Sequence, residues 1–255
     1  MGGRSQIDTT FDVRTDSSGK DPDSHSATLR RYHRLLWSKP LPDGSPFDLD
    51  ARLRHSSEKG VFWLASDAIT HTYSTWSRPA RLVAVLREVP PAELTAFYDL
   101  GCTVGAYTVF PYAIQIDGKW RRSINQARGM HHQVRDRFDL TLECIRRHYD
   151  GGEPSPLSDV LADYSDFFRL FDSFRGYVQH FLLEDLVEHD YRSVKFLKGF
   201  DAFAGDALPV GDIAEYREYM MRSMDFIRAR NVRIDRFASA LEAGDPGEVR
   251  YTPKF

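Results

Sequence analysis

Between Leu157 and Leu182 the chain places an apolar side chain at almost every helical interval. The residues are Leu157, Val160, Leu161, Tyr164, Phe167, Phe168, Phe171, Phe174, Val178, Phe181 and Leu182. A stripe this wide and this aromatic cannot face water, so the rest of the chain must supply a surface that covers it. The spacing predicts one long amphipathic helix after the Pro154/Pro156 break. It marks core rather than a cofactor box.

Two more helical patterns flank it. Val134, Phe138, Leu142, Ile145 and Tyr149 keep helical spacing up to Gly151-Gly152. Ile213 to Leu241 carries Tyr216, Met220, Ile227, Ile234 and Leu241 on one face and is closed by Gly244, Asp245 and Pro246. The first half reads differently. Ser26 caps a short helix to Trp37, where Leu29, His33 and Trp37 recur at i, i+4, i+8. Val61–Leu64 and Ala80–Val89 are rich in strand formers, and Pro91–Leu100 reads as a short helix stopped by Gly101. Val104–Pro111 and Tyr112–Ile116 read as strands, Asp117-Gly118 as a type I′ hairpin turn, and Lys119–Ile124 as the returning strand. The expected fold is α+β, a mainly antiparallel sheet in residues 60–125 packed on a helical second half. The expected organisation is a polar N-terminal segment, 1–25, and a single domain, 26–255.

Charge points to a site region. Lys119–Tyr149 holds eight Lys/Arg, three Asp/Glu and three His, whereas Asp150–Asp225 holds sixteen Asp/Glu against seven Lys/Arg. That asymmetry suggests a place for something anionic. The net charge of −3 gives no bulk signal for nucleic acid or membrane. Cys102 and Cys144 form no CxxC pattern, the first residues lack an apolar signal core, and no apolar run approaches a membrane span. The expectation is a cytoplasmic protein. Walker A, GxGxxG, GxSxG and HExxH are missing, which argues against the enzyme classes they mark.

The first candidate site joins Ser123, Asn125, Gln126, Arg128 and Gly129 to His131 and His132. A strand end followed by a helix start aims N–H groups and side chains at one anion. Arg135, Arg137, Arg146 and Arg147 follow; the plain alternative is a solvated basic helix with pairs such as Glu143–Arg147. His131, His132 and His148 are the candidates for proton transfer near neutral pH.

The second candidate is the N-terminal polar block, Asp12, Arg14, Asp16, Lys20, Asp21, Asp23, His25, Arg30 and His33. Its spacing is not that of a calcium loop, so no metal is expected; a loop lying across the basic site is. Of these, Arg14, Lys20, Arg30 and His33 are taken as ligand-binding. Three weaker signals each have an ordinary structural explanation. They are Arg175 with His180 as an RNase pair, His71–Ser77 as a dinucleotide-orienting strand, and Gln6–Phe11 as a groove-docking peptide.

The stretch from Phe11 to Gly44, then SINQARG, DRFDLTLECIRRHYDG, FFRLF, GYVQHFLLEDLV and FIRARNVRI, resembles a family of uncharacterised bacterial proteins with no known activity. The resemblance covers most of the chain and implies a compact domain, but no catalytic assignment. The leading functional expectation is binding or turnover of a phosphate-bearing small molecule such as a nucleotide. A protein-interaction, toxin or phage-defence factor stands second, and a nucleic-acid binder or RNase third. The sequence names no cofactor. The expected partners are a small anionic ligand or a protein, and not a membrane.

Overall fold

Arg54–Ser57 (β1), Gly60–Ala68 (β2), Tyr107–Ile116 (β3) and Lys119–Trp120 (β4) form one antiparallel sheet in the order β1-β2-β3-β4. The computed structural model describes residues 6–58, 60–73, 80–116, 119–120, 123–151 and 153–243. The expected hairpin pairs as Ile116↔Lys119 and Gln115↔Trp120, while its turn residues lie outside the described residues. Between Trp63 and Leu64 the β2–β3 register shifts: Trp63 pairs with Ala113 but Leu64 with Pro111. The residue left without a partner is Tyr112, so the bulge lies in β3 and the alternation of β2 runs on through it. Beyond the bulge Asp67 stands opposite Thr108 and Ser66 opposite Val109.

Helices cover both faces. Pro22–His25 (α1) and Ala27–Trp37 (α2) lie on the Ser66 side, where His33 Nε2 is 2.9 Å from Ser66 Oγ. Ile124–Met130 (α5) and Phe138–Asp150 (α6) lie on the Asp67 side. Ser26 caps α2 as expected, accepting from Leu29 N at 3.0 Å. The N-terminal segment feeds the same core: Ile7 and Val13 are buried, and Val13 N donates to Cys102 O at 3.0 Å. Ile7 is therefore packed into the protein's own core, not free for a groove elsewhere.

Three expectations need correction. Ala80–Glu88 is a helix (α3), followed by Pro91–Leu100 (α4). Leu82, Val85 and Val89 are buried and Leu86 packs against the core, an i, i+3, i+4, i+7 face. That face outweighs the β-propensity of its valines. Lys119–Ile124 is not one strand: β4 ends at Trp120, and Ser123 caps α5, accepting from Gln126 N at 3.2 Å. The SINQARG run is thus a cap and a helix, not a strand end.

The stripe from Leu157 to Leu182 is not a single helix. It folds as Ser158–Asp163 (α7), Ser165–Arg169 (α8) and Phe174–His180 (α9). Asp172 turns the chain at φ 62°, and Ser173 recaps it by accepting from Gly176 N at 3.2 Å. The chain doubles back so closely that a Cβ on Gly176 would collide with Phe171 O. Core is nonetheless right. Phe167, Phe168, Phe171, Phe174, Phe181 and Leu182 are all buried, with Phe171 5.3 Å from Phe167 and 5.2 Å from Phe181 between ring centroids.

Ile213–Ala243 (α10) clasps the two halves together. Its buried Arg230 donates to Leu182 O (3.0 Å), Gly105 O (2.8 Å), Tyr107 O (2.7 Å) and Phe181 O (2.9 Å). Those carbonyls mark two chain segments that leave regular structure, and the fork satisfies them together. Burial lowers the Arg230 guanidinium to about 9, against the pull of Glu184 and Asp185. Asn231 accepts from Gly105 N at 2.8 Å and donates to Thr103 Oγ1 at 2.9 Å. Among the described residues no helix is long and apolar enough to cross a membrane.

Candidate functional site

At the open end of β2 a cleft of about 520 Å³ is lined by Asp67, His71, Tyr112, Asn125, Gln126, Gly129, Met130 and Asp136. Each wall follows from local structure. The alternation of β2 puts Asp67 on the face opposite Ser66, the side where Arg128 of α5 pairs with it. The Ser123 cap starts α5 so that Asn125, Gln126, Gly129 and Met130 border the opening. Gly129 is required for the approach of Asp136, because a Cβ there would stand 2.9 Å from both carboxylate oxygens. Asp136 and Arg135 have φ of 60° and 49°, and Tyr73 has φ 57°. Left-handed backbone in residues other than glycine costs roughly 1–3 kcal/mol each and clusters where geometry serves a site. The strained pieces hold each other, for Tyr73 Oη donates to Arg135 O at 2.8 Å.

His71 is fixed by α10. Its N–H donates to Tyr219 Oη at 3.2 Å, and that hydroxyl donates back to His71 O at 2.9 Å. Tyr216 Oη donates to Thr72 O at 2.5 Å. The ring is therefore held by its backbone while its Nε2 is buried and makes no hydrogen bond. A buried imidazole nitrogen without a partner costs free energy unless something else satisfies it. Burial lowers the His71 pKa, aided by Arg128 and opposed by Asp136, so the ring is neutral at neutral pH.

The carboxylates behind the cleft share one arginine. Arg128, fully buried, pairs with Asp67, donates to Asp136 O at 2.9 Å and to Thr141 Oγ1 at 3.2 Å, and lies 3.8 Å from Asp136 Oδ1. Burial nevertheless raises Asp67 to about 6, helped by Asp136 and resisted by Arg128. Asp23 sits on the far side of the strand, where Ser66 Oγ donates to it at 3.3 Å. Burial, then Asp67 and Asp21, raises its pKa well above the usual carboxylate range. Trp37 Nε1 donates to His33 Nδ1 at 3.1 Å, which leaves His33 Nε2 to donate to Ser66. A directed chain thus runs Trp37 to His33 to Ser66 to Asp23.

The expected site residues separate in the structure. Residues 12–33 and 123–137 lie on opposite faces of β2 and share no cleft, for no residue of 12–33 lines the opening, so the two blocks do not form one composite site. Arg128, expected to hold an anion, is consumed by Asp67. Arg137 is buried against Asp139 at 2.5 Å, and Arg135 pairs with Asp206 at 2.8 Å. Arg14 pairs with Asp12 at 2.6 Å and Asp99 at 2.7 Å. Glu143 takes both Arg146 and Arg147 at 2.8 Å, the pairing that helical spacing allows. His33 is buried within the relay and open to no ligand. Lys20 is exposed and Arg30 half-buried, and neither borders the cleft. Ser123 acts as a cap. Asn125 and Gln126 alone among the expected ligand-binding residues line the opening.

Nor do the histidines expected to move protons line it. His131 and His132 stack on each other at 5.2 Å. His148 lies ten residues into α6, about 15 Å along its axis at 1.5 Å per residue, packed 5.3 Å from the Phe168 ring. Arg175 lies over Tyr191 at 4.9 Å, and His180 is buried among Phe47, Phe171 and Phe181. His71 is the histidine of the cleft; beyond Tyr73, the rest of its polar run, 74–77, lies outside the described residues. Among the described residues no cluster of three His, Cys, Asp or Glu is arranged to hold a metal. A second hollow, about 480 Å³ between α10 and the turn at Glu184–Leu186, is lined by Arg236 and by Arg233, which lies 2.9 Å from Asp185 and 3.5 Å from Glu184.

The chain belongs to a family of unknown function (DUF6994), whose model matches residues 7–234. No curated protein and no solved structure matches it.

Proposed function

For this member of a family without an assigned activity, we propose that the Asp67–His71–Asp136 cleft binds a small polar molecule and exchanges a proton with it. The observation that carries this reading is His71 Nε2, buried at the cleft with no hydrogen bond, beside a carboxyl group whose pKa lies near 6. A group that titrates near the working pH both gives and takes protons readily, and a neutral imidazole is a ready acceptor or donor. Asn125 and Gln126 supply amide groups that fix orientation, as a few convergent polar groups do in a concave site. A phosphate is not part of this reading, because the arginines that would have held one are already engaged by Asp67, Asp139, Asp206 and Glu143.

The test is a thermal-shift screen of small metabolites on the wild type, His71→Gln and Asn125→Ala. A ligand that binds only the folded state raises the melting temperature. Ligands of the cleft stabilise the wild type and lose that effect in both variants. Responses that survive in both variants place binding elsewhere and end the proposal.

A further inference from the structure

Resting on that reading, we infer that the ligand of the cleft is an organic cation, an amine or guanidine with an apolar flank. Hydrogen-bonding partners and rim chemistry argue for it together. Asp67 and Asp136 both border the opening, and Asp136 keeps a side chain 21% exposed there. No Lys or Arg is among the described residues that line it. Arg128, behind the two carboxylates, is wholly buried and spends its donors on Asp67, Asp136 O and Thr141. The charged groups that border the space are two carboxylates, Asp136 and the cleft edge of Asp67, and the amides of Asn125 and Gln126 beside them accept as well as donate. Carboxylates only accept when ionised, so they are matched by a donor-rich ligand. Burial against carboxylates also favours a positive charge over an equally polar neutral group.

The mouth supplies the second half of the selection. Tyr112 is 48% and Met130 83% exposed, both on the cleft's border. An aromatic face attracts a cation through its quadrupole, and a thioether adapts to an apolar body of variable shape. Tyr112 is the unpaired residue of the β3 bulge and Met130 ends α5, so the two flank the opening from different elements. Large apolar side chains left in water beside a polar floor mark a place where something partly apolar is covered. An ammonium or guanidinium directed at Asp136, with a hydrocarbon or ring lying between Tyr112 and Met130, meets both parts.

Isothermal titration with agmatine and benzylamine, set against the neutral isostere benzyl alcohol and against inorganic phosphate and AMP, tests the inference. Agmatine or benzylamine binds the wild type, benzyl alcohol binds at least tenfold more weakly, and Asp136→Asn weakens the cation at least tenfold. Asn tolerates the left-handed backbone at this position, and the unliganded denaturation midpoint of the variant checks that the fold persists. If Asp136→Asn fails to fold, Asn125→Ala and Met130→Ala serve in its place, each expected to weaken the cation. Equal binding of benzyl alcohol, or binding of phosphate or AMP that is lost in His71→Gln, overturns the cation while leaving the cleft as the site. If no probe of any charge binds in a way that depends on His71, Asn125 or Asp136, the cleft and the cation fall together.

Discussion

Replacing Arg128 with alanine should unfold the protein more readily rather than disarm a binding surface. The guanidinium is fully buried and serves three groups at once: the Asp67 carboxylate, Asp136 O and Thr141 Oγ1. Its removal strands Asp67 in a poorly solvated place and orphans a carbonyl next to a strained turn. Breaking a buried ion pair from one side costs about 3–5 kcal/mol. A value near 4 kcal/mol is roughly a thousandfold in the folding equilibrium and a large share of a typical domain's stability. Urea denaturation followed by tryptophan fluorescence measures it. Arg128→Met combined with Asp67→Leu should recover much of the loss, because the pair is then replaced by apolar groups of similar size. An Arg128→Ala protein within about 1 kcal/mol of wild type would refute the reasoning, since no desolvated carboxylate could then be left behind.

Phe171→Ala should cost about 3–5 kcal/mol by urea denaturation, because the ring is fully buried among Phe167, Phe181 and Tyr177; a loss under about 1 kcal/mol would mean the cluster collapses freely. Gly129→Ala should displace the Asp136 carboxylate and abolish ligand-induced thermal shifts with a smaller effect on stability, since its Cβ would meet both oxygens at 2.9 Å; an unchanged ligand response counts against Asp136 as a contact. The pH dependence has a definite sign. Asp67 is raised from an ordinary 3.8 to about 6, so over that window the native state holds a proton the unfolded chain has released. Its contribution is fully present below the unfolded value and is lost as pH rises through about 6, by about 3 kcal/mol for two pKa units. The stability of the wild type minus that of Asp67→Asn should therefore fall as pH rises from about 4 to about 6.5 in denaturant titrations. A constant or rising value would show that Asp67 stays ionised throughout.

The parts of the fold that follow from one dominant local pattern were legible in the sequence. Ile213–Ala243 and Ala27–Trp37 fall where periodicity and a serine cap put them, and the second half is helical. Patterns failed where burial is nearly complete on every side. From Leu157 to Leu182 almost every apolar residue is inside, so spacing alone could not separate one helix from three short ones joined by turns. Only the absence of a side chain at Gly176 hints at the reversal beneath it, and a glycine in a helix has many other causes. At Ala80–Glu88 the valines outvoted a helical face that was present all along.

The candidate site was hidden for a different reason: it depends on register and pairing, which are tertiary facts. Asp67 reads as a polar residue late in a strand. Its partner across the sheet is set by the shift that leaves Tyr112 of β3 unpaired, and a one-residue slip of β2 would have sent it to the side of His33 and Ser66 instead. The basic run from Lys119 to Tyr149 was visible as charge, but charge counts do not show who is paired. Arg128, Arg135, Arg137, Arg146 and Arg147 each find a carboxylate, several from distant segments such as Asp67 and Asp206. A buried arginine consumes the anion-binding capacity that its sequence advertises. The free chemistry then passes to what is left over at the cleft, Asp136 and His71. His71 is held by a long-range contact with Tyr219 of α10, which has no local signature, and Asp136 by the buried Arg128 eight residues before it.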